Sequence, residues 1–401
     1  MSDAVNGVVR DPSAICHSCG HAGMDIFYEV RGIPVHSVVL MPTVGTARDF
    51  PRGDLRLGFC PDCGFIQNTR FAAGSVDYTQ RTEETQAFSG TFNAFARELA
   101  TTLVDRHDLH GKTILEIGGG KGEFLVQLCE LGNNRGIGID PSYLSGRLES
   151  DALDRIEFIR EFYDERYVDT DADFIVCRHT LEHIPTTGAF MRLVHQTARR
   201  RAGTGVFLEV PDVARVLQEM AFWDLYHEHC SYFTLGSLAR LFRKVGLEPT
   251  SLALAFDDQY LLIEASIGEP GPGLLPGEDD LEKTRKLVDH FAANHREALD
   301  AWRRRLAAYR EAGARVAIWG AGSKGVAFLT TLGLTDEVAY AIDINPHKQG
   351  MFMPGTGHPV VGPDSLHQSP PDVVIVMNPV YLDEIRIALA NVGLAPDLVA
   401  L

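Results

Sequence analysis

A phenol, an acid and a base stand within four residues of one another near the middle of the chain. They are Tyr226, Glu228 and His229. Such a group is unusual in a solvated loop and costly in a core, so we predict an acid–base site here. A second imidazole, His183, follows a predicted strand and is a further candidate, although a histidine that caps the turn before Pro185 would give the same pattern. Neutral imidazoles are suited to proton transfer near pH 7.

A glycine-rich turn between a predicted strand and a predicted helix suggests a ligand site of another kind. Gly118, Gly120 and Gly122 would let a ligand lie against bare backbone. Asp140 ends the next predicted strand, 22 residues after Gly118, where it can accept hydrogen bonds from ribose hydroxyls. The spacing predicts nucleoside recognition. The alternative is a tight turn that only joins a buried strand to its helix.

Two C-x-x-C pairs mark the N-terminal part of the chain. Cys16 and Cys19 form one pair, and Cys60 and Cys63 form the other, with Gly64 placed to make the turn that such a pair needs. Four thiolates from two turns can complete a tetrahedral zinc site, and a site with four protein ligands is structural because it leaves no open position. A redox dithiol and unmetallated core cysteines remain as alternatives.

A second glycine-rich turn lies in the C-terminal part. Gly320, Gly322, Ser323 and Lys324 open a predicted helix and offer backbone N–H groups, a hydroxyl and a charge to a diphosphate. The same pattern can bind a nicotinamide dinucleotide, in which case Asp343 would hold a ribose.

Length and composition narrow the function classes. A chain of 401 residues exceeds one ordinary core, so two or three domains are expected. The formal charge of −17, without a basic segment to offset it, argues against a nucleic-acid partner. The sequence shows neither a signal peptide nor an apolar run long enough to span a bilayer, so we expect a cytoplasmic protein without a membrane partner.

Hydrophobic periodicity predicts an α/β protein with a parallel sheet and helices on both faces. A helix is expected over residues 82–107, and a long helix that packs between domains is expected after the Pro/Gly-rich linker at 268–277. The predicted strands of the central domain lie at 113–117, 136–139, 156–159, 173–176 and 205–210, and those of a C-terminal Rossmann-like domain lie near 315–319, 338–343 and 372–377.

These elements divide the chain into four segments. We predict a zinc-binding domain over residues 1–78 and a central domain over 79–267. A linker with the long helix occupies 268–314, and the C-terminal domain occupies 315–401.

The first glycine turn resembles the first motif of class I S-adenosylmethionine methyltransferases. The likeness rests on the tight G-x-G-x-G spacing and on Glu116, two residues before Gly118. It implies that S-adenosylmethionine is the cofactor and that Glu116 lies near the methionine amino group. Phe162 and His179 are assigned to the same cofactor-binding group.

The order of motifs along nearly the whole chain resembles the C-methyltransferases that act on nucleotide-linked keto-deoxysugars. These motifs are the double C-x-x-C unit, L-E-H-I-P, Y-H-E-H and the C-terminal G-A-G-x-K-G turn. The resemblance implies structural zinc, a nucleotide-sugar substrate bound by the C-terminal domain, and a role in natural-product biosynthesis. It carries the catalytic roles onto Tyr78, His183, Tyr226, Glu228 and His229.

For such a reaction we expect His229 to be the general base and Glu228 to orient it. Tyr226 and Tyr78 would donate hydrogen bonds to the developing enolate oxygen, and His183 would share either role.

Two segments depart from the family pattern. Residues 256–260 replace a glycine-rich G-G-S-like stretch near the acceptor, and residues 377–380 replace a tryptophan–asparagine pair. They support the alternative of O- or N-methylation of another small polar acceptor. A further alternative, of another class, is a dinucleotide-binding enzyme or binding module that uses the C-terminal domain.

Overall fold

A computed structural model describes residues 7–72, 74, 76, 82–268 and 273–401. The α/β class predicted from the sequence is confirmed, with the strands arranged in three sheets. The predicted catalytic residue Tyr78 lies outside the described residues. Within the described ranges, no helix combines the length and the apolar composition needed to cross a membrane.

The elements have the following bounds. The strands are β1 (Val9–Ile15), β2 (Ala22–Pro34), β3 (Arg52–Phe59), β4 (Ile66–Asn68), β5 (Thr113–Ile117), β6 (Arg135–Ile139), β7 (Ile156–Ile159), β8 (Phe174–Arg178), β9 (Gly205–Pro211), β10 (Ser231–Tyr232), β11 (Glu248–Ala255), β12 (Tyr260–Ser266), β13 (Val316–Trp319), β14 (Tyr340–Ile342), β15 (Val360–Val361), β16 (Val373–Val376) and β17 (Asp397–Ala400). The helices are α1 (Val44–Arg48), α2 (Gly90–Arg106), α3 (Glu123–Gly132), α4 (Thr187–Ala198), α5 (Val213–Gln218), α6 (Leu235–Val245), α7 (Leu281–Glu311), α8 (Ser323–Leu332) and α9 (Leu382–Asn391).

The first sheet is antiparallel and has the order β1-β2-β3-β4-β10. Its first four strands come from the N-terminal part of the chain. The fifth, β10, follows the Tyr226–His229 segment and pairs with β4 through Ser231↔Gln67 and Tyr232↔Ile66. The sequence did not predict this strand, because a strand of two residues is too short to show an alternation of apolar and polar side chains. The N-terminal sheet is therefore completed by the segment that holds the predicted catalytic residues.

The central sheet has seven strands in the order β11-β12-β9-β8-β5-β6-β7. β5 to β9 are parallel to one another, and β12 joins β9 in the antiparallel sense. The inner strands are rich in branched apolar residues because both of their faces are covered by helices. Their C-terminal ends meet at one edge, where the first glycine turn and the residues after β8 and β9 come together.

The third sheet is fully parallel, with the order β15-β14-β13-β16-β17. The long helix α7 precedes it and packs as expected from its broad apolar face. Phe291 in α7 contacts the rings of Phe27 and Tyr28 in β2, and Trp302 contacts Phe328 in α8. One apolar core thus includes residues from the N-terminal, central and C-terminal parts.

The helix predicted over residues 82–107 begins later than expected. α2 starts at Gly90, and the Ser89 side chain caps it by accepting a hydrogen bond from the Phe92 N–H. The residues before it pack instead against the glycine turn: Lys121 donates to the Thr82 carbonyl, and Glu83 pairs with Arg147. Tertiary contacts outweigh helix propensity in this segment.

Candidate active site

A single cavity of about 920 Å³ is lined by three groups of residues that the sequence singled out separately. The glycine turn after β5 lies on it, as do the imidazoles of His183 and His229 and the second glycine turn before α8. The cavity has the size and the few convergent polar groups typical of small-molecule sites. Predicted cofactor, catalytic and substrate residues are therefore brought to one place.

The glycine turn after β5 is closely packed. Gly118 has a φ of +73°, a conformation that L side chains rarely adopt, and a Cβ on it would lie 2.0 Å from Oγ1 of Thr180. Gly120 and Gly122 also have positive φ angles. The Thr180 side chain fills the space beside Gly118, and ligand binding by this turn stays a prediction.

Two acids flank this turn. Asp140 is partly buried, and its Oδ2 accepts a hydrogen bond from the Gly120 N–H at 2.8 Å. Glu116 is fully buried in β5, and burial raises the pKa of its carboxyl to about 7 although Arg178 opposes the rise. Oε2 of Glu116 has no hydrogen-bond partner among the described residues. An unpaired buried carboxyl oxygen beside a bare glycine turn suits a ligand that brings a donor such as an ammonium group.

The other two predicted cofactor residues differ in their surroundings. Phe162 is 60% exposed at the cavity edge. His179 is in the left-handed region with φ +48°, and its Nε2 lies 2.7 Å from Oε1 of Glu209. Burial opposes protonation of His179, but Glu209 and Glu182 outweigh it and raise the pKa of the imidazole to about 9. His179 is therefore a cation at neutral pH.

The two candidate bases lie side by side. The rings of His183 and His229 are perpendicular, with centroids 4.7 Å apart, and Tyr226 approaches His229 at the same ring distance. Nδ1 of His183 lies 3.3 Å from the carbonyl oxygen of Glu228 and donates to it, since a carbonyl can only accept. Desolvation, followed by the charge of His183, lowers the pKa of His229 to about 4, so this imidazole is neutral at pH 7.

The Glu228 carboxylate has partners that the sequence did not suggest. Its Oε2 lies 2.6 Å from Nδ1 of His36 and accepts from the Ser37 N–H at 3.0 Å, while the Ser37 hydroxyl donates to Oε1. The carboxylate is thus held by residues next to β2. The expectation that Glu228 orients His229 needs revision: the described residues that hold the carboxylate belong to the N-terminal part, and it is the Glu228 backbone that bonds to His183.

Tyr226 donates its phenolic proton to Oδ1 of Asp224 at 2.8 Å. Burial and the Asp224 charge raise the pKa of Tyr226 well above its ordinary value, so the phenol remains protonated. Asp224 in turn pairs with Arg215 at 2.6 Å and with Lys324 at 3.1 Å. The phenol is therefore linked to the second glycine turn through one carboxylate.

The second glycine turn precedes α8, which begins at Ser323. The Ser323 hydroxyl lies 2.7 Å from that of Ser37, and Nζ of Lys324 donates to Oε1 of Gln259 at 3.0 Å. Burial lowers the pKa of Lys324 although Asp224 opposes the change. The residues predicted to bind a diphosphate therefore contact both other parts of the chain.

The two departures from the family pattern meet in space. Gln259 and Asn378 exchange two amide hydrogen bonds, each of 3.0 Å. The turn before Gln259 has three consecutive non-glycine residues with positive φ, from 52° to 57°, at Phe256, Asp257 and Asp258. This left-handed conformation is the one that glycines adopt without cost, so the backbone expected of a glycine-rich stretch is retained here without glycine.

Sequence reasoning missed His36, Ser37, Lys121, Gln259 and Asn378 as site residues. His36 and Ser37 are far from the other residues in sequence, and no motif marks them. Lys121 lies within the glycine turn, so its position could have drawn attention. Its ammonium group is buried and donates to the carbonyls of Thr82 and Ser142 at 3.0 and 3.1 Å. It fixes the segment that covers the turn.

The four predicted zinc ligands converge. The sulfur atoms of Cys16 and Cys63 are 3.6 Å apart, as are those of Cys19 and Cys60, and all four lie within 4.8 Å of one another. A regular tetrahedron with Zn–S bonds of about 2.3 Å has sulfur atoms about 3.8 Å apart. The cysteines are free rather than disulfide-bonded. The geometry fits zinc held by these four thiolates.

Comparisons with known proteins identify the class of enzyme. A family model described as a methyltransferase domain matches residues 89–252, and one described as a C-methyltransferase C-terminal domain matches residues 275–394. The chain is 27% identical over 313 residues to the C-methyltransferase NovU of Streptomyces niveus. The matched region covers 74% of this chain and 74% of NovU. These matches support a C-methyltransferase that uses S-adenosylmethionine. The predicted cofactor and enzyme class are thereby confirmed.

Two solved structures resemble part of this C-methyltransferase. A 1,6-didemethyltoxoflavin-N1-methyltransferase from Burkholderia thailandensis has a TM-score of 0.33 and 18% identity, and the match covers 43% of this chain and 79% of the other. A methyltransferase from Aquifex aeolicus has a TM-score of 0.34 and 13% identity, and the match covers 44% of this chain and 98% of the other.

Proposed function

We propose that this enzyme methylates a carbon atom of a nucleotide-diphosphate-linked keto-deoxysugar by way of an enolate, with His229 as the base. The observation that carries the proposal is the shared cavity, lined by the methyl-donor turn, the imidazole pair and the second glycine turn. A substrate with a reactive carbon at one end and a diphosphate at the other matches this arrangement.

His229 has the properties of the base. Its lowered pKa keeps the imidazole neutral at pH 7, and His183 lies beside it. The imidazole would remove a proton from the carbon next to the sugar carbonyl, and the electron pair of the C–H bond would move onto the carbonyl oxygen. His183 lies beside His229 and donates from Nδ1 to the Glu228 carbonyl, so its ring can share this role.

Among the described residues, Tyr226 is the one to which we assign the hydrogen bond to the enolate oxygen. Its raised pKa means that the phenol keeps its proton, and Asp224 is the acceptor that it would exchange for the enolate. A donor held ready in a site that excludes water stabilises a developing oxyanion more than it would in bulk solvent. The role of Tyr78 stays a prediction.

The methyl donor would supply an electrophilic methyl group bound to a sulfonium. The enolate carbon would form a bond to that methyl carbon as the C–S bond breaks, and the electron pair of the C–S bond would leave with the neutral thioether. The residues that would hold it are Glu116 and Asp140 with the glycines between them. Holding the donor against the glycine turn places it in the same cavity as His229, so orientation and exclusion of water are the main contributions of the protein.

The diphosphate would lie at the start of α8. Gly320 and Gly322 line the cavity there, and Ser323 and Lys324 add a hydroxyl and a charge at the first turn of the helix. The dinucleotide alternative has an acid at the equivalent place. Oδ2 of Asp343 accepts from the Ala321 N–H at 2.9 Å, as Oδ2 of Asp140 accepts from the Gly120 N–H at 2.8 Å.

The test is mass spectrometry of thymidine- and uridine-diphosphate 4-keto-deoxysugars incubated with the enzyme in deuterated water. One reaction contains S-adenosylmethionine, and a parallel one contains S-adenosylhomocysteine. We expect a gain of one methyl group in the first and deuterium uptake at the adjacent carbon in the second.

His229→Ala should abolish both signals, whereas His110→Ala, at an exposed position, serves as the matched control and should keep them. Methylation without any exchange would indicate transfer to oxygen or nitrogen. If no member of the panel is methylated or exchanged, the keto-sugar proposal fails.

A further inference from the structure

The segment that leaves the zinc-binding part enters the active site. β2 begins at Ala22, three residues after Cys19, and ends at Pro34. His36 and Ser37 follow at once, and both are buried, with His36 only 2% exposed. The strand that begins next to the first C-x-x-C pair therefore leads directly to two buried polar side chains.

These two residues supply the described hydrogen-bond donors of the Glu228 carboxylate. Nδ1 of His36 lies 2.6 Å from Oε2, the Ser37 N–H donates to the same oxygen at 3.0 Å, and the Ser37 hydroxyl donates to Oε1. Glu228 is itself 2% exposed. Burying a carboxylate is costly unless donors surround it, so the three donors keep it ionised in one orientation.

The rest of the Tyr226–His229 segment is fixed from the same side. β10, immediately after it, pairs with β4, and the Asn68 N–H donates to the Cys230 carbonyl at 3.0 Å. The His227 ring packs on Gly53 so closely that a Cβ there would lie 2.4 Å from Nε2. The zinc-binding part therefore holds Glu228 through its carboxylate, its preceding residue and its following strand.

We propose that His36 and Ser37 are positioning residues for methyl transfer, acting through Glu228 on the imidazole pair. With its carboxylate anchored, Glu228 presents its carbonyl to Nδ1 of His183, and this bond sets the ring that packs on His229. The Ser37 hydroxyl also lies 2.7 Å from Ser323 at the start of α8. The inference rests on the proposed function only in taking His183 and His229 as the reacting bases.

Kinetics of three variants test the positioning role. Ser37→Ala and His36→Leu remove donors, while His36→Asn retains an N–H at the position of Nδ1. We expect the first two to lower kcat about 10- to 100-fold, as small misplacements of catalytic groups do. Zinc content and the KM for S-adenosylmethionine should change less than twofold, and His36→Asn should recover most of kcat.

Ser13→Ala, an exposed position in β1 of the same sheet, is the matched control. An unchanged kcat in folded, zinc-loaded Ser37→Ala would overturn the inference. So would a loss of kcat that only follows the loss of folded protein, because that is what a purely structural role produces.

A second readout needs no acceptor. In protein labelled with ¹⁵N-histidine, Ser37→Ala should shift the nitrogen resonances of His183 and His229, and Ser13→Ala should not. If the wild type acts on no keto-sugar while these resonances shift, the proposed function fails and the positioning role stands. If the resonances do not shift, the positioning role fails whatever the acceptor.

Discussion

The His229 imidazole is surrounded by other rings and by a second imidazole, and these neighbours decide its chemistry. Tyr226 and His183 each lie 4.7 Å from it between ring centroids. Loss of water and the nearby His183 charge disfavour the imidazolium and lower the pKa to about 4. The base is therefore ready at neutral pH without needing to lose a proton first.

This lowered pKa predicts the pH dependence of proton abstraction. Falling pH protonates His229 only near pH 4, so deuterium exchange should lose no activity through this group between pH 8 and 6. Replacing His183 by Asn removes the second cause of the shift and should raise the pKa of His229 only part of the way toward the ordinary value of about 6.5, because burial, the larger cause, remains. Histidine NMR titration of the wild type and His183→Asn measures both values.

The same shift has a consequence for stability. An unfolded chain takes up a proton at His229 below about pH 6.5, whereas the folded chain does so only near pH 4, so this group lowers the free energy of unfolding as pH falls through that window. A wild-type His229 that titrates at its ordinary value would contradict the packing described here.

At the scale of elements, the N-terminal sheet depends on its neighbours and on its cysteines. Its buried side chains belong to apolar cores shared with the other parts of the chain, and four cysteine sulfurs lie at one end of it with the spacing of a zinc tetrahedron. Arg240 of α6 donates to the Cys63 carbonyl at 2.9 Å, so the knuckle also contacts the central domain. A metal site here fixes the ends of β2 and β3.

Metal analysis should give close to one zinc per chain, and Cys60→Ser should lose the metal. Because β2 and β3 then lose their shared anchor, the variant should be less stable in chemical denaturation and poorer in folding yield. Cys129→Ala alters a buried cysteine outside the cluster and should keep the zinc. Well-folded wild-type protein without metal would remove this assignment.

At the scale of the whole molecule, polar groups link the central and C-terminal parts across the cavity. Gln259 and Asn378 exchange two amide bonds, and Lys324 joins Gln259 to Asp224 and so to Tyr226. Both amides are buried, so neither can lose its partner without leaving unpaired polar groups.

A double-mutant cycle measures this link. Gln259→Ala and Asn378→Ala should each lower the free energy of unfolding by about 1 to 3 kcal/mol, with a coupling of about 1 kcal/mol between them. Because Lys324 also loses a partner in Gln259→Ala, the acceptor KM should rise more in that variant. Strictly additive effects would show that the two amides act independently.

The sequence by itself determined the features that local spacing encodes. The alternation of apolar strands and helices predicted the α/β class, the glycine spacing predicted the cofactor turn, and the two C-x-x-C pairs predicted four converging thiolates. Each depends on residues within one turn or one strand–turn–helix unit, so short stretches of sequence suffice. The acid–base residues were predicted for the same reason, because a phenol, an acid and a base stood together.

Only the tertiary structure decided which groups these residues meet. It paired Glu228 with His36 and Ser37, 191 positions away in the case of Ser37, and it brought Gln259 to Asn378. It also delayed the start of the predicted helix to Gly90 because the preceding residues pack on the glycine turn. Such contacts depend on how the three sheets pack around one cavity. The donors that a buried carboxylate meets are set by that packing and not by nearby residues in the sequence.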